Sequence, residues 1–333
     1  MSNVDFSNSM KLMYSCLVCG SQTDAVVEAH GAYKILRCSS CGLQFSDPMN
    51  ASTYNYKSAY DLGQAPDEVA GEGLPFLGWT AEASEGLPEF NCFMTAAQQF
   101  ALKIIKKRFP KEQASLDVGF GAGWFLGAMR QAGLTPYGLE VAENPIKTLL
   151  QKGFPVGNYA VDQLPSGWPS PTLITAFEVV EHLEDPIGFL TLLRRTYPNA
   201  DVILSVPDER CWFFLAGRPA HDYPPNHMTR WSPRAMDIAL RKAGYAHSKV
   251  WQIRPTAQEL SMASVRRFLP FKSLSKAGNG VSNTAVGPST SLAEELKKRS
   301  LKRKLALPVA ALFPLMGKTA CSMVAMGSNQ HID

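Results

Sequence analysis

The sequence carries little net charge. Lys and Arg number 33 against 29 Asp and Glu, leaving +4 over 333 residues. So small an excess gives no bulk-charge argument for a nucleic-acid binder or a membrane protein, and only local patches remain to be judged. The N-terminus lacks a basic region followed by a continuous apolar run, the mark of a secretory signal, so the expected compartment is the cytoplasm. Long apolar runs are also missing. Residues 305–316 are apolar but broken by Pro308 and Pro314, and so short a run cannot cross a hydrocarbon core of about 30 Å. What is present is 45% apolar residues and 10% aromatics, enough for a real core in one large or two modest domains.

Of the 7 cysteines, four fall as Cys16-x-x-Cys19-Gly20 and Cys38-x-x-Cys41-Gly42. Each pair brings two thiolates to one ion from a tight turn whose glycine frees the backbone, as tetrahedral zinc requires. Two disulfides would fit poorly in a chain without an export signal. The expectation is structural Zn²⁺ on Cys16, Cys19, Cys38 and Cys41, with no coordination position left for a reactive water. Cys92, Cys211 and Cys321 read as small buried apolar residues. The chain then divides into a zinc-ribbon module at 1–45, a linker or flap at 46–90 and a main domain at 91–333. The ribbon holds a hairpin over 25–36 with Gly31 at its turn. It is too short to bury much apolar surface, so the metal would supply most of its folding energy.

The main domain is organised around residues 115–125. Leu116, Asp117 and Val118 read as a buried strand, and Gly119, Gly121 and Gly123 as a loop whose bare backbone a ligand can touch. A helix follows from Trp124, and its first N–H groups can receive an anionic group. A dinucleotide fingerprint counted from Gly119 would need a small residue where Trp124 stands. The next strand ends in Glu140, placed to accept from ribose hydroxyls. Asp162 follows a poorly defined third strand and reads by itself as an exposed loop aspartate, with an adenine contact entering only through resemblance to a known family. A further apolar strand, 173–177, delivers Glu178, Glu181 and His182 to the sheet edge, where open α/β sheets bind ligands. In a purely structural alternative, Glu181 and His182 cap the helix opened by Asp185-Pro186.

Asp117-Val118-Gly119-x-Gly121-x-Gly123, Glu140, Asp162 and Phe177-Glu178-x-x-Glu181-His182-x-x-Asp185-Pro186 together resemble the ordered motifs of the class I S-adenosylmethionine-dependent methyltransferases, over about residues 91–255. The likeness is nearest to the branch that includes the ubiquinone-biosynthesis O-methyltransferases. Relatives in sugar and natural-product pathways carry a similar four-cysteine module. The resemblance implies an α/β, Rossmann-like seven-stranded sheet of order 3-2-1-4-5-7-6 with its last strand antiparallel. It implies S-adenosyl-L-methionine as cofactor, held by Asp117, Gly119, Gly121, Gly123, Glu140, Asp162 and Glu178. It also implies Mg²⁺ at Glu178, Glu181 and His182 as an alternative to direct base catalysis. The loop at 224–227, Pro-Pro-Asn-His, lacks the Tyr and Glu of zinc-containing sugar C-methyltransferases, so carbon methylation draws no support.

The expected reaction is O-methylation of a small-molecule acceptor such as a sugar, lipid-linked or natural-product intermediate. His182 or His227 is the candidate base, with Glu178 near the transferred methyl. His221 and Tyr223 are weaker candidates to face the substrate. RNA methylation and a non-catalytic interaction module that retains the cofactor fold are the alternatives. An insertion at about 255–319 carries a basic run, residues 297–304, ahead of the apolar 305–316. This is a solvated helix with a packed segment, or a surface at 297–316 for an anionic membrane or nucleic acid.

Overall fold

In a computed structural model that describes residues 13–51, 94–211, 218, 222–255 and 320–332, the N-terminal module is built from short antiparallel strands. β1 (Tyr14–Ser15) and β2 (Gln22–Thr23) flank the first cysteine knuckle. β3 (Val26–His30) and β4 (Tyr33–Arg37) form the expected hairpin, and Gly31 at its turn has φ 56°. After the second knuckle, β5 (Gln44–Asp47) pairs with β4 and runs past position 45, where the sequence suggested the module would end.

The main domain opens with α1 (Ala96–Arg108), capped reciprocally: the Gln98 amide donates to Thr95 Oγ1 at 3.2 Å and the Thr95 amide to Gln98 Oε1 at 3.0 Å. Strands and helices then alternate: β6 (Ala114–Val118), α2 (Trp124–Gln131), β7 (Thr135–Leu139), α3 (Glu143–Gln151), β8 (Val156–Gly157), β9 (Leu173–Phe177), α4 (Pro186–Thr196) and β10 (Asp201–Pro207). A two-residue strand, β11 (Thr229–Arg230), precedes α5 (Pro233–Lys242), β12 (His247–Ile253) and β13 (Ser322–Ser328). The helix starts follow from their caps. Asp185 accepts from the Gly188 amide at 2.8 Å with Pro186 in the first turn, and Ser232 accepts from the Ala235 amide at 3.1 Å with Pro233 in the same place. Asp185 thus does the capping that the structural alternative assigned to Glu181 and His182.

The main sheet has seven strands in the order β12-β13-β10-β9-β6-β7-β8, with β13 antiparallel to both neighbours. Renumbered within the domain and read from the other edge, this is 3-2-1-4-5-7-6, the α/β order implied by the resemblance. All five residues of β9 are buried, as a central strand covered on both faces requires. One buried cluster on the sheet includes Leu116, Ile174 and Leu204, and the other includes Phe125, Met129 and Val324.

The ribbon is less independent than its length suggested. β5 pairs on its outer edge with β11, Thr229 opposite Phe45 and Arg230 opposite Gln44, which makes a four-stranded sheet from segments far apart in the sequence. Val18, Leu36, Leu43 and Phe45 lie in the same buried cluster as Trp231, Met236 and Leu240. Apolar burial against the main domain therefore adds to whatever a metal contributes to the ribbon. His221 and the insertion, apart from residue 255, lie outside the described residues, and with them the basic run and the 297–316 segment. Among the described residues no helix is long and apolar enough to cross a membrane.

Candidate active site

The glycine loop leaves the tip of β6 with three left-handed residues in five, φ 71° at Gly119, 54° at Gly121 and 76° at Gly123. A Cβ on Gly119 would stand 2.7 Å from Val179 Cγ2, so the β6 and β9 loops meet there with no room for a side chain. At Gly121 nothing lies within 4 Å of that position, so its backbone faces open space. Its N–H donates to Glu140 Oε2 at 2.9 Å. The other oxygen of Glu140 accepts from the Val141 and Ala142 amides at 2.7 and 3.3 Å. A carboxylate has about four acceptor sites, so Glu140 is fixed in direction and still able to accept from a ligand. Asp117 is fully enclosed: it accepts from Thr175 Oγ1 at 2.7 Å, and burial, reinforced by the charge of Glu140, pushes its carboxyl up to about 7.

A cavity of about 310 Å³ opens between the β6, β7 and β9 tips, and Gly119, Glu140, Tyr159, Glu178, His182 and Phe189 are among the residues in its wall. Trp124 is not in that wall; it packs against the cluster around Phe125 and Met129. Asp162 is exposed and also outside the wall, where Asn158, Tyr159 and Val161 form the corresponding surface. Gly121, Gly123 and Asp117 shape and support the loop rather than line the cavity.

At the other end, Glu178 sits at the tip of β9 with φ 54°, a costly conformation for a residue with a side chain. Two bonds to β10 hold it: Ser205 Oγ donates to Glu178 Oε1 at 2.7 Å, and the Glu178 amide donates to the Ser205 carbonyl at 3.0 Å. Glu181 is buried, and neither of its carboxyl oxygens has a hydrogen-bond partner among the described residues. Burial first, and then the charge of Glu178, raises its carboxyl well above the usual range. His182 lies in the cavity wall, and its Nδ1 is 2.8 Å from the Asn226 carbonyl, which can only accept. Nδ1 therefore carries the hydrogen and Nε2 the lone pair.

His227 stands behind His182, its ring centroid 4.7 Å away and nearly perpendicular, 9% exposed and outside the cavity wall. Its Nδ1 is 3.2 Å from Asp222 Oδ1. Burial works to raise the Asp222 carboxyl, but the His227 hydrogen bond and the Arg230 charge outweigh it and hold the group below its usual value. Tyr223 turns away from the cavity, donating to Glu28 Oε1 at 2.7 Å and stacking on His30.

The set expected for Mg²⁺ is not the one brought together. Ligating atoms of Glu181, His182 and His227 lie within 4.8 Å of one another, and Glu178 is not in that group. One carboxylate with two imidazoles does not suit Mg²⁺, which prefers oxygen donors. The four cysteines do converge. Cys16 and Cys41 Sγ are 3.6 Å apart and Cys19 and Cys38 Sγ 3.4 Å apart, far beyond a disulfide bond of about 2.05 Å. Four thiolates at about 2.3 Å from a tetrahedral ion would stand about 3.8 Å apart, so the donor set fits zinc.

Sequence reasoning missed Thr175, Ser205, Asn226, Asp222 and Arg230. Only Asp222, as the acid five residues before His227, had a local signal.

Residues 92–250 match the family model of a methyltransferase domain. No curated protein matches the chain. Among solved structures, the chain is similar to one in a complex of the Haloferax volcanii Trm112 methyltransferase activator, with 18% identity, 71% of this chain and 90% of that one covered, and a TM-score of 0.43. A SAM-dependent methyltransferase from Archaeoglobus fulgidus gives 16% identity, 69% and 93% coverage and a TM-score of 0.41. Magnesium protoporphyrin IX methyltransferase from Synechocystis with bound SAH gives 16%, 47% and 77%, and 0.38. Together with the sheet order, the family match assigns the main domain the α/β methyltransferase fold.

Proposed function

We propose that this chain is an S-adenosylmethionine-dependent methyltransferase that methylates a hydroxyl of a small molecule. One observation carries the reading: a single cavity has the bare Gly119 backbone and the anchored Glu140 carboxylate in its wall together with the imidazole of His182. The sulfonium brings its own activation, so the protein must align nucleophile, methyl carbon and sulfur and remove a proton. In this reading Gly119 and Gly121 admit the methionine portion, Glu140 accepts from the ribose, and Asp162 lies at the adenine end. Glu178 borders the methyl. His182 takes the acceptor's proton on Nε2, and His227 positions His182. The four cysteines hold structural zinc, and the chain divides into a ribbon module, a linker or flap and a methyltransferase domain, with the ribbon's last strand running to Asp47.

Calorimetry with adenosylhomocysteine tests the first half: saturable binding is expected, and none would sink the reading. Incubation with methyl-tritiated adenosylmethionine and a metabolite extract tests the second. Label should appear in a small molecule in an alkali-stable ether linkage; label found only in RNA would replace the acceptor class.

A further inference from the structure

The segment 222–232 is held from two sides. Toward the cavity, the Met228 amide donates to the Glu181 carbonyl at 2.8 Å, and the Asn226 carbonyl accepts from His182 Nδ1. Toward the ribbon, the Ser46 amide and hydroxyl both donate to the Met228 carbonyl at 3.0 Å, and Ser232 Oγ donates to the Cys41 carbonyl at 2.6 Å. Met228 thus joins the ribbon's last strand to the residue before His182, and Thr229, paired with Phe45, reaches the same Glu181 carbonyl through Oγ1 at 3.4 Å.

A chain of charged side chains runs parallel to these backbone links. Glu28, on the ribbon hairpin, accepts from Arg230 Nη1 at 2.9 Å. The Nε of Arg230 is 3.2 Å from Asp222 Oδ2, and its Nη2 donates to the Asp222 carbonyl at 3.0 Å. Asp222 in turn meets His227, whose ring abuts His182. Arg230 is buried, its side chain 5% exposed, so its charge depends on these partners. A simple ribbon-to-domain tether would need none of this alignment, because the β5–β11 pairing and the shared apolar cluster already supply attachment.

We propose that Glu28 and Arg230 are positioning residues through which the four-cysteine ribbon sets the orientation of the His227–His182 pair, making the ribbon part of the acceptor end of the site. This rests on the methyl-transfer reading for the meaning of that end. Among the described residues no hydrogen bond or ion pair joins Gly119 or Glu140 to the ribbon, so the two ends should respond separately.

The test uses the full chain with adenosylhomocysteine as the probe of the cofactor end, and amide exchange with ¹⁵N-histidine spectra as the probe of the other. Glu28→Gln keeps the side chain's shape, removes its charge, and sits at a position 33% exposed, where folding is tolerant. It should speed exchange at Asn226 and Met228 at least tenfold and shift the His182 Nδ1 resonance. Adenosylhomocysteine affinity should change less than twofold. Arg230→Lys should act in the same direction. Lys147→Gln, which breaks an exposed pair with Glu143 on α3, should move neither signal. Unchanged exchange and histidine spectra in Glu28→Gln would overturn the proposal, and so would an equal acceleration at Gly119 and Glu140, which would mean general loosening. Failure of the unaltered chain to bind adenosylhomocysteine would count against methyl transfer, while the exchange pattern would still decide the coupling.

Discussion

The glycine-loop side of the cavity and the segment behind His182 are held by contacts of very different reach. On the glycine-loop side the amide of Gly121 meets Glu140 across 19 positions of sequence, within one strand–helix–strand unit. Behind His182, Arg230 meets Glu28 across 202 positions, and Tyr223 meets Glu28 across 195. A loop between neighbouring parallel strands can carry its whole chemistry in a short motif. An arrangement closed between segments some two hundred residues apart cannot, because each half of it looks ordinary until the fold brings them together.

The largest expected effect separates the two ends most cleanly. Replacing His182 by Ala should slow methyl transfer about a hundred- to ten-thousandfold, about 3–5 kcal/mol in barrier height, with adenosylhomocysteine affinity held within about twofold. Transfer assays and calorimetry on one preparation check it. Parallel loss of both would merge what the comparison divides.

Asp117 comes next. Its usual value is 3.8 and burial lifts it to about 7 in the folded chain. Across that window the folded chain keeps a proton that the unfolded chain has released, so the stability tied to that proton is complete below 3.8 and lost as pH rises through about 7. Asp117→Asn, which retains an acceptor for Thr175, should therefore stabilise the chain at pH 8 by up to about 4 kcal/mol and leave it unchanged near pH 3.5. Chemical denaturation at the two pH values measures the difference.

Glu140→Gln should weaken adenosylhomocysteine binding by about ten- to a hundredfold, about 1.5–3 kcal/mol, since charge-assisted bonds from the ribose and from Gly121 are lost. Amide exchange around Asn226 should stay as it was. The smallest effect compares two glycines. Gly119→Ala meets Val179 as well as an unfavourable φ and should cost about 2–3 kcal/mol of stability, whereas Gly121→Ala meets open space and should cost about 1 kcal/mol, by thermal denaturation.

Much of the fold could be read in advance because its signals are local. Asp185-Pro186 and Ser232-Pro233 mark helix starts by their own side chains, and the unbroken apolar run at 173–177 marks a central strand. The third strand, with two residues, had too little sequence to show a period. Gly119, Glu140 and His182 share a cavity wall because each ends or follows a parallel strand at the same sheet edge, which is what their spacing had suggested. His227 differed in kind: an aromatic, proline-rich loop gives no register, so nothing in 211–230 could say that His227 would sit behind His182 and not beside it. The ribbon's share in the core was equally hidden, since Leu36, Leu43 and Phe45 find their neighbours only through β11.

Glu178 leaves a mark on how this protein would change under selection. Its left-handed backbone costs about 1 kcal/mol that a glycine would not pay. A population screened for heat resistance alone should accordingly drift toward glycine at 178, and the survivors would be sturdier molecules that had given up a carboxyl from the cavity wall.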